Sequence, residues 1–432
     1  MYNLQKKIFN IIRRSFFDLI EIMPTLPAKK ISQIIVYLQS RVFISEIKKL
    51  IQESPCERSV NKSNIENILI IRLDAIGDIV WTTPFIHSLR DNYPLARIDM
   101  VVRPIAKTVL ENCPYLDHIY TYDCPLGEAD RQESIAKKKE RAQNYMLQIN
   151  KTRYDIVFLP REIFLGNSFD NLLLAAYSTC KHRIGRTYAT NYLESVRADI
   201  IKDFFSEISL MTSPEHEAIQ ILREITLLGK KYTHSKMELW LSKDEKEYLT
   251  SWKKEHCIDQ NDILIGVGLE GSSPNRSWKL ENYIKVFESL QMIDGRYIRF
   301  ILLGTKDLPQ KHIESLMRQK HVINMSGKTT LRQVISILSG IDIYLGSDTG
   351  IMHVSAAFNK PIVEISAHFK DGRIMDSGSA TLVGPWGVKN IVLEPASGLD
   401  GCIGWCTHNR SYCINQIHSS DVRKALEHMI RG

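Results

Sequence analysis

The chain has 432 residues, of which 44% are hydrophobic and 24% are charged. This composition is typical of a globular protein that buries a substantial core, and it excludes the collagen-like, disordered and disulfide-scaffold classes. The formal net charge of +7 is modest for this length and does not by itself indicate nucleic-acid binding.

Residues 1–60 are predicted to form a basic helical arm, because they hold ten Lys and Arg against five Asp and Glu. Apolar residues recur at helical spacing over Ile8–Ile20, and Pro24 and Pro27 end that pattern. A second periodic stretch covers Ile31–Leu50. The arm therefore predicts two amphipathic helices that precede the main body of the chain.

Two interpretations of this arm stay open. Apolar side chains on one face and cations on the other would suit an anionic membrane surface, so residues 1–50 predict peripheral contact with the inner face of a cytoplasmic membrane. A helical hairpin packed on the body or on a second subunit is the alternative. Neither a membrane-spanning helix nor a signal peptide is expected. Five scattered cysteines fit reduced thiols in a cytoplasm: Cys56, Cys113, Cys124, Cys180 and Cys257.

From Asn67 onward, strand and helix patterns alternate. Asn67–Leu73 is a short apolar run typical of a buried parallel strand, and the Gly-containing turn Asp74–Asp78 leads from it into a helix that ends at about Asn92. Further elements are predicted as strands at Arg97–Val102 and Asp155–Pro160 and a helix at Ala106–Asn112. The charged helical segment Gly127–Arg153 is predicted to be a solvated insertion or a surface helix. This alternation predicts a parallel sheet covered on both faces.

The same alternation restarts after the polar stretch 229–247. The predicted elements are Asp262–Leu269, Leu280–Gln291, Ile298–Gly304, His321–Gly327, Leu331–Ser339, Ile341–Ser347, Ile351–Phe358 and, as the last clear strand, Pro361–Ser366. The sequence thus predicts three domains, the arm 1–60 and two α/β domains at 61–240 and 241–432. Two doubly wound domains leave a cleft between the carboxyl ends of their strands, where ligands bind.

A turn rich in small polar residues, Leu345–Gly350, leads directly from a predicted strand into a predicted helix. Free backbone N–H groups and the positive end of the helix dipole suit a diphosphate there. Asp348 could cap the helix or bind a ligand hydroxyl, and His353 lies one turn further on. The alternative is that Asp348 and Thr349 only cap the helix and that His353 is a core histidine.

The loop Gly271–Arg276 follows the first strand of the second unit. Its hydroxyl side chains and the guanidinium of Arg276 predict an anion-binding loop, although a solvated surface loop is the alternative. The overlapping segment Gly266–Gly271 matches the G-x-G-x-x-G dinucleotide fingerprint. Since the helix begins only near Leu280, we interpret this match as coincidental; an NAD-dependent oxidoreductase is the alternative function that it would support.

Two further groups of residues could carry chemistry. Asp78, at the start of a helix above the first strand, could act as a general base in the cleft, or it could only cap the helix. A C-terminal loop places three cysteines and one histidine close together, which permits zinc or iron binding, although the spacing is not that of a standard finger and thiol packing is the favoured interpretation. These four residues are Cys402, Cys406, His408 and Cys413.

Several segments together resemble glycosyltransferase family 9, the bacterial heptosyltransferases. The most specific are RLDAIGD at residues 72–78 and SDTGIMHVSAA at residues 347–357, with SPNRSWKLENY at residues 273–283 between them. The resemblance covers most of Asn67–Ile417 and does not include the arm. It implies a GT-B fold and an inverting transfer of a sugar from a nucleotide-diphosphate donor, typically ADP-heptose, to an inner-core sugar of lipopolysaccharide.

Carried over to this sequence, the resemblance implies that Asp78 is the general base. It implies a set of donor-binding residues, namely Ser272, Ser273, Arg276, Asp348, Thr349, Gly350 and His353. The chain departs from the family pattern at Arg276, where Lys is frequent, at Lys279, where Pro is frequent, and at 366–368, where Ser-Ala-His replaces a Gly-containing turn. The chain has no Asp-x-Asp motif, so neither a metal clamp nor another cofactor is expected. Further alternatives are a sugar-binding or assembly protein of this fold without catalytic activity, and a homologue that acts on a protein acceptor.

Overall fold

The computed structural model describes residues 28–58, 62, 64–125, 133–163, 169–188, 198–271, 273–306, 316, 319–372, 374, 378–399 and 412–432, with the backbone alone for 28–40. The strands are β1 (Asn67–Arg72), β2 (Arg97–Val102), β3 (His118–Thr121), β4 (Ile156–Glu162), β5 (Arg183–Tyr188), β6 (Glu207–Met211), β7 (Ile263–Gly268), β8 (Met292–Ile293), β9 (Arg296–Leu303), β10 (Val322–Asn324), β11 (Ile343–Gly346), β12 (Ile362–Ile365) and β13 (Asn390–Leu393). The helices are α1 (Ala28–Glu53), α2 (Ile76–Asn92), α3 (Pro104–Leu110), α4 (Ile135–Ile149), α5 (Phe169–Tyr177), α6 (Ala198–Ile201), α7 (Glu217–Thr226), α8 (Lys243–Glu255), α9 (Leu280–Ser289), α10 (Leu331–Ser339), α11 (Gly350–Ala357), α12 (Ala380–Val383) and α13 (Ser419–Arg431).

The first sheet is parallel and has the strand order β3-β2-β1-β4-β5-β6. The central strand β1 is paired on both sides, and its residues point alternately to two buried layers. Ile68 and Ile70 pack with α2 and α7 on one face, whereas Leu69 and Ile71 pack with α1, α4 and α5 on the other. Because both faces are covered, the strand reads as an uninterrupted apolar run.

The second sheet repeats this arrangement with the order β10-β9-β7-β11-β12-β13, and β8 adds a short antiparallel pair to β9. Two doubly wound α/β units of the same strand order are therefore present, as the sequence predicts. Our expectation that Pro361–Ser366 is the last strand is wrong, because β13 pairs in parallel with β12. β13 is an edge strand whose four residues are exposed or half-buried, and its apolar run is only the three residues 391–393, which is short for a strand signal.

Two surface helices bury more of their apolar side chains than their sequences indicate. Within the described residues of the arm, Phe43, Ile47 and Leu50 of α1 are buried in the first unit, so this part of the arm packs on the body. The expected solvated insertion at Gly127–Arg153 contains α4, which buries Ala142 and Met146 against the layer that includes α5. A narrow apolar stripe is enough to bury one face of an otherwise charged helix. Residues 1–27 lie outside the described part of the chain.

The two units meet through the helices that follow their central strands. The first turns of α2 and α11 are in contact at two glycines: a Cβ at Gly77 would lie 2.6 Å from Cδ2 of His353, and a Cβ at Gly350 would lie 2.7 Å from Cβ of Ile76. The absence of a side chain at both positions permits this approach. The connector from α7 to α8 contains the predicted boundary near residue 240, and the domain limits stay a prediction.

Candidate active site between the two sheets

Asp78 lies in the first turn of α2, directly after the carboxyl end of β1. It does not occupy the cap position, because Ala75 precedes the helix; instead, the Asp78 carboxylate accepts a hydrogen bond of 3.2 Å from the N–H of Ala75. About a third of its side chain, 32%, remains exposed. The carboxylate therefore stabilises the helix start and is still accessible, so the capping and catalytic interpretations are compatible.

A buried arginine holds the other oxygen of this carboxylate. Nη2 of Arg72 lies 3.4 Å from Oδ1 of Asp78 and 3.2 Å from Oε1 of Glu217. Its Nε lies 3.2 Å from Oδ2 of Asp74, and the side chain of Arg161 donates to the second oxygen of Asp74 at 2.6 Å. Because the guanidinium is fixed by three carboxylates, the orientation of the Asp78 carboxylate is set before any substrate binds.

The surroundings of Asp78 raise its pKa to about 6, first because the carboxyl group is partly removed from water and next because Asp74 is negatively charged nearby. The positive charge of Arg72 opposes these effects. A carboxylate with a pKa near 6 is ionised at neutral pH and is a stronger proton acceptor than an ordinary aspartate. These properties suit a general base.

Across from α2, the second unit contributes an ion pair. Nη1 of Arg276, in the short 3-10 turn Pro274–Arg276, lies 3.2 Å from Oδ2 of Asp348. Asp348 follows β11 and stands before Thr349, which precedes α11, so it is not the cap residue. The hydroxyl of Thr349 lies 3.2 Å from the hydroxyl of Tyr344. Arg276 and Asp348 thus lie together at the carboxyl ends of the strands.

A chain of hydrogen bonds joins this ion pair to the helix that carries Asp78. The indole N–H of Trp81 donates to Nδ1 of His353 at 3.1 Å, so the ring proton of neutral His353 is on Nε2, which lies 3.3 Å from Oδ1 of Asp348. His353 is only 1% exposed. Both of its ring nitrogens are used within the protein, which supports the core-histidine alternative; its donor-binding role stays a prediction.

A contact between two aromatic rings lies beside these hydrogen bonds. The ring of His216, at the start of α7, is stacked on Trp386 of the second unit with 4.6 Å between ring centroids, and its Nε2 donates to the carbonyl of Gly384 at 3.0 Å. Burial lowers the pKa of His216 to about 4, so this ring is neutral at physiological pH. The contact therefore joins the two units without adding a charge.

A small cavity opens beside Arg276 and Asp348. Its other lining residues are Ser347, Ser366, Ala367, His368 and Gly378. Burial and the neighbouring carboxylates of Asp348 and Glu394 raise the pKa of Glu364 well above its usual range, which favours its protonated form. Within the described residues, Oγ of Ser347 and Oε2 of Glu364 are buried without a hydrogen-bond partner. A ligand or water in this cavity would complete the hydrogen bonding of these two atoms.

Some predicted site residues are not placed here. Ser272, Cys402, Cys406 and His408 lie outside the described part of the chain, and Cys413 begins a 3-10 turn as a half-buried free thiol. Ser273 is described, and its hydroxyl donates to the side chain of Asn275. The metal role of the cysteine loop therefore stays a prediction.

Other contacts were not expected from the sequence, namely those of Arg72, Trp81, His216 and Glu364. Arg72 and Asp74 belong to the quoted RLDAIGD motif, so a charged residue inside an apolar strand was an available signal. Trp81 and Glu364 gave no comparable signal, because a tryptophan in an apolar helix and a glutamate in a strand are both compatible with ordinary packing.

The dinucleotide-like segment Gly266–Gly271 has a packing role in the structure. A Cβ at Gly266 would lie 2.8 Å from Cδ1 of Ile341, and one at Gly268 would lie 2.0 Å from the hydroxyl oxygen of Tyr344. The following helix α9 begins at Leu280. These glycines do not open a helix, which supports the interpretation that the match is coincidental.

Comparison with known proteins identifies this architecture. Residues 212–386 match the sequence model of glycosyltransferase family 9 (heptosyltransferase). The lipooligosaccharide heptosyltransferase 2 of Haemophilus ducreyi is 23% identical over 306 residues, which cover 68% of this chain and 80% of the relative. The residues that match the family model include SDTGIMHVSAA at 347–357, whereas RLDAIGD at 72–78 precedes them.

Two solved structures have the same fold. The family 9 glycosyltransferase of Veillonella parvula DSM 2008 superposes with a TM-score of 0.67 at 18% identity and covers 85% of this chain and 97% of its own. The ADP-heptose lipopolysaccharide heptosyltransferase II of E. coli superposes with a TM-score of 0.56, also at 18% identity, over 84% and 98%. The GT-B fold expected from the sequence is confirmed, and the resemblance to glycosyltransferase family 9, the heptosyltransferase family, is confirmed by the family model that matches residues 212–386.

Proposed function

We propose that the chain is an inverting heptosyltransferase that moves a heptose from ADP-heptose to a hydroxyl of a lipopolysaccharide-core glycolipid. The observation that carries this proposal is the juxtaposition of Asp78, at the start of α2, with Asp348 and Arg276 across the contact between α2 and α11. The heptosyltransferase named in Haemophilus ducreyi and the ADP-heptose enzyme named in E. coli support the choice of sugar and nucleotide.

In the proposed reaction, the Asp78 carboxylate takes the proton of the acceptor hydroxyl as that oxygen attacks the anomeric carbon of the donor. The bond between the anomeric carbon and the diphosphate oxygen breaks, and the diphosphate leaves with the electron pair. A single displacement of this kind inverts the configuration at the anomeric carbon. Arg72 keeps the base oriented through its contact with Oδ1 of Asp78.

Charge on the departing diphosphate is stabilised by Arg276, together with Ser272, Ser273 and the first turn of α11, which contains Thr349 and Gly350. Asp348 is also negatively charged, so it binds sugar or ribose hydroxyls in this proposal and orients Arg276. The protonated form of Glu364 limits the negative charge that the diphosphate meets in the cavity. We propose that no metal clamp is needed, because a guanidinium and backbone amides replace it.

The proposal is tested by incubating the purified full-length chain with ADP-heptose and a core glycolipid that ends before its heptose residues. We expect the acceptor mass to increase by one heptose without added Mg²⁺ or Mn²⁺, and NMR of the product to show the inverted anomer. GDP- and UDP-sugars serve as competing donors. A retained anomeric configuration would contradict the mechanism, and neither transfer nor donor hydrolysis with a broad set of acceptors would support the non-catalytic alternative.

We propose that the first part of the arm brings the enzyme to the anionic inner face of the cytoplasmic membrane, where a glycolipid acceptor would be presented. None of the helices in the described part of the chain has the length and hydropathy that a bilayer-spanning segment requires. The packing of Phe43, Ile47 and Leu50 on the first unit leaves residues 1–40 as the segment for this role. The charges Lys6, Lys7, Arg13 and Arg14 would attract anionic lipid.

Removal of residues 1–27 should therefore release the protein from vesicles of anionic phospholipid while the body stays folded, because the deletion ends before α1. Co-sedimentation of the full chain and of the shortened chain measures this difference. Vesicles of zwitterionic lipid alone are the control, and they should bind both forms weakly. Equal binding of both forms to anionic vesicles would show that the segment has another role, such as packing on the protein.

A further inference from the structure

A cluster of metal-binding side chains lies on the first unit, away from the proposed active site. His87 and Asp91 are four residues apart on α2, so they occupy the same face of that helix, and His234 reaches them from the connector between α7 and α8. The two imidazole rings are stacked with 3.4 Å between centroids and 10° between planes. His87 is nine residues beyond Asp78, about 13 Å along the helix axis.

The distances within this cluster suit one small cation. Nε2 of His234 lies 2.9 Å from Oδ2 of Asp91, and Nε2 of His87 lies 3.8 Å from Oδ1 of Asp91. One ligand atom from each of the three residues lies within 4.8 Å of the other two. Zinc with bonds of about 2.0–2.1 Å separates tetrahedral ligand atoms by roughly 3.4 Å, so small side-chain rotations would bring all three atoms into coordination.

A second carboxylate fixes the orientation of one of these imidazoles. Nδ1 of His87 donates to Oε1 of Glu238 at 2.5 Å, which leaves the lone pair of Nε2 directed toward Asp91. Glu238 also accepts from the hydroxyl of Tyr115 at 3.3 Å, and the ring of Tyr115 is stacked on that of His87. A carboxylate that holds the outer nitrogen of a histidine is the arrangement that accompanies metal-ligating histidines.

The charges of the cluster also favour a cation. Within the described residues, the ion pairs of Asp91 and Glu238 are with imidazoles, which carry a charge only when protonated. The hydroxyl of Thr233 donates to Asp91 at 2.8 Å and orients that carboxylate. One divalent ion bound among these side chains would balance the negative charges of both carboxylates.

From these observations we infer that His87, Asp91 and His234 bind a divalent transition-metal ion of the zinc type. Two imidazoles and one carboxylate are ligands that zinc prefers, and water would complete the coordination, because 39% of the Asp91 side chain and 38% of the His234 side chain are exposed. For binding through Nε2, the proton that His234 donates to Asp91 is released to solvent. The ion would link the connector between the two units to α2, the helix that contains the proposed base Asp78. It would not take part in sugar transfer.

The test uses the full-length chain after removal of metal with a chelator. Zinc binding is measured by competition with a chromophoric chelator, and cobalt binding by the visible absorption of tetrahedral Co²⁺. We expect the His234→Gln and Asp91→Asn variants to lose one high-affinity equivalent of zinc, and Glu238→Gln to bind it 10- to 100-fold more weakly. His118→Gln is the matched control, because His118 is an exposed histidine of the same unit, and it should bind as the unmodified chain does.

Two outcomes would overturn the inference. The first is an unmodified chain that binds no zinc under these conditions. The second is unchanged zinc stoichiometry and affinity in both His234→Gln and Asp91→Asn. In the second case, strong near-ultraviolet absorption from thiolate-to-cobalt charge transfer would assign the bound metal to cysteine residues instead. Circular dichroism shows whether each variant is folded, so a loss of binding is not confused with unfolding.

Discussion

Asp78→Asn should reduce the rate of sugar transfer by about 10²–10⁴-fold, because an amide cannot accept the proton of the acceptor hydroxyl. Donor affinity should change little, since the amide oxygen can still accept the hydrogen bond of the Ala75 N–H and the side chain keeps its size. Single-turnover rates at saturating substrates measure the first effect, and isothermal titration with the donor measures the second. Asp244→Asn, at an exposed position in the first turn of α8, is the matched control and should retain full activity.

The pH dependence of the same reaction provides a second readout. The raised pKa of Asp78, about 6, means that the base is protonated and inactive at lower pH, so the rate of the unmodified enzyme should rise as pH increases through about 6. This dependence should be absent from the residual activity of Asp78→Asn. Full activity of the variant, or an unchanged pH profile, would assign the base to another residue.

Arg276→Ala should lower kcat/KM for the donor by about 10²–10³-fold, the effect expected when one preorganised charge contact to the departing group is removed. The substitution also leaves Asp348 without its guanidinium partner, so the carboxylate would repel the diphosphate. Arg276→Lys should recover part of the activity, because it keeps the charge but cannot make two parallel hydrogen bonds. Steady-state kinetics with varied donor concentration measure both variants.

The control for this prediction is Arg423→Ala, which removes an exposed arginine of the same unit that pairs with Glu427 within α13. It should leave kcat/KM unchanged. Thermal unfolding of Arg276→Ala should resemble that of the unmodified chain, because the Arg276 side chain is partly exposed. Normal kcat/KM in Arg276→Ala would mean that other groups hold the diphosphate, and it would contradict the placement of the donor beside Asp348.

Much of the candidate site could be predicted because its signals are local. The apolar run at Asn67–Leu73, followed by a glycine-containing turn, marks a buried strand that delivers Asp78 to the carboxyl edge of a sheet. The same pattern places Asp348 beyond Leu345. Because both turns follow central strands of parallel sheets, the sequence indicated that they belong to ligand-binding edges before any contact between them was known.

Other features depended on contacts between distant residues. Trp81 and His353 are 272 positions apart, and their hydrogen bond exists only because α2 and α11 pack through Gly77 and Gly350. The burial of Arg72 beside three carboxylates likewise depends on the docking of α7. No periodicity within either segment contains this information.

By itself the sequence determined the alternation of strands and helices, the two-unit α/β architecture and the motifs of glycosyltransferase family 9, because hydrophobic periodicity and turn residues act over a few neighbouring positions. Only the tertiary structure decided that α1 packs on the first unit, that β13 extends the second sheet, and that His87 and Asp91 meet His234. Such contacts arise from the packing of whole elements, and the free energy of packing depends on surfaces that residues far apart in the chain form together.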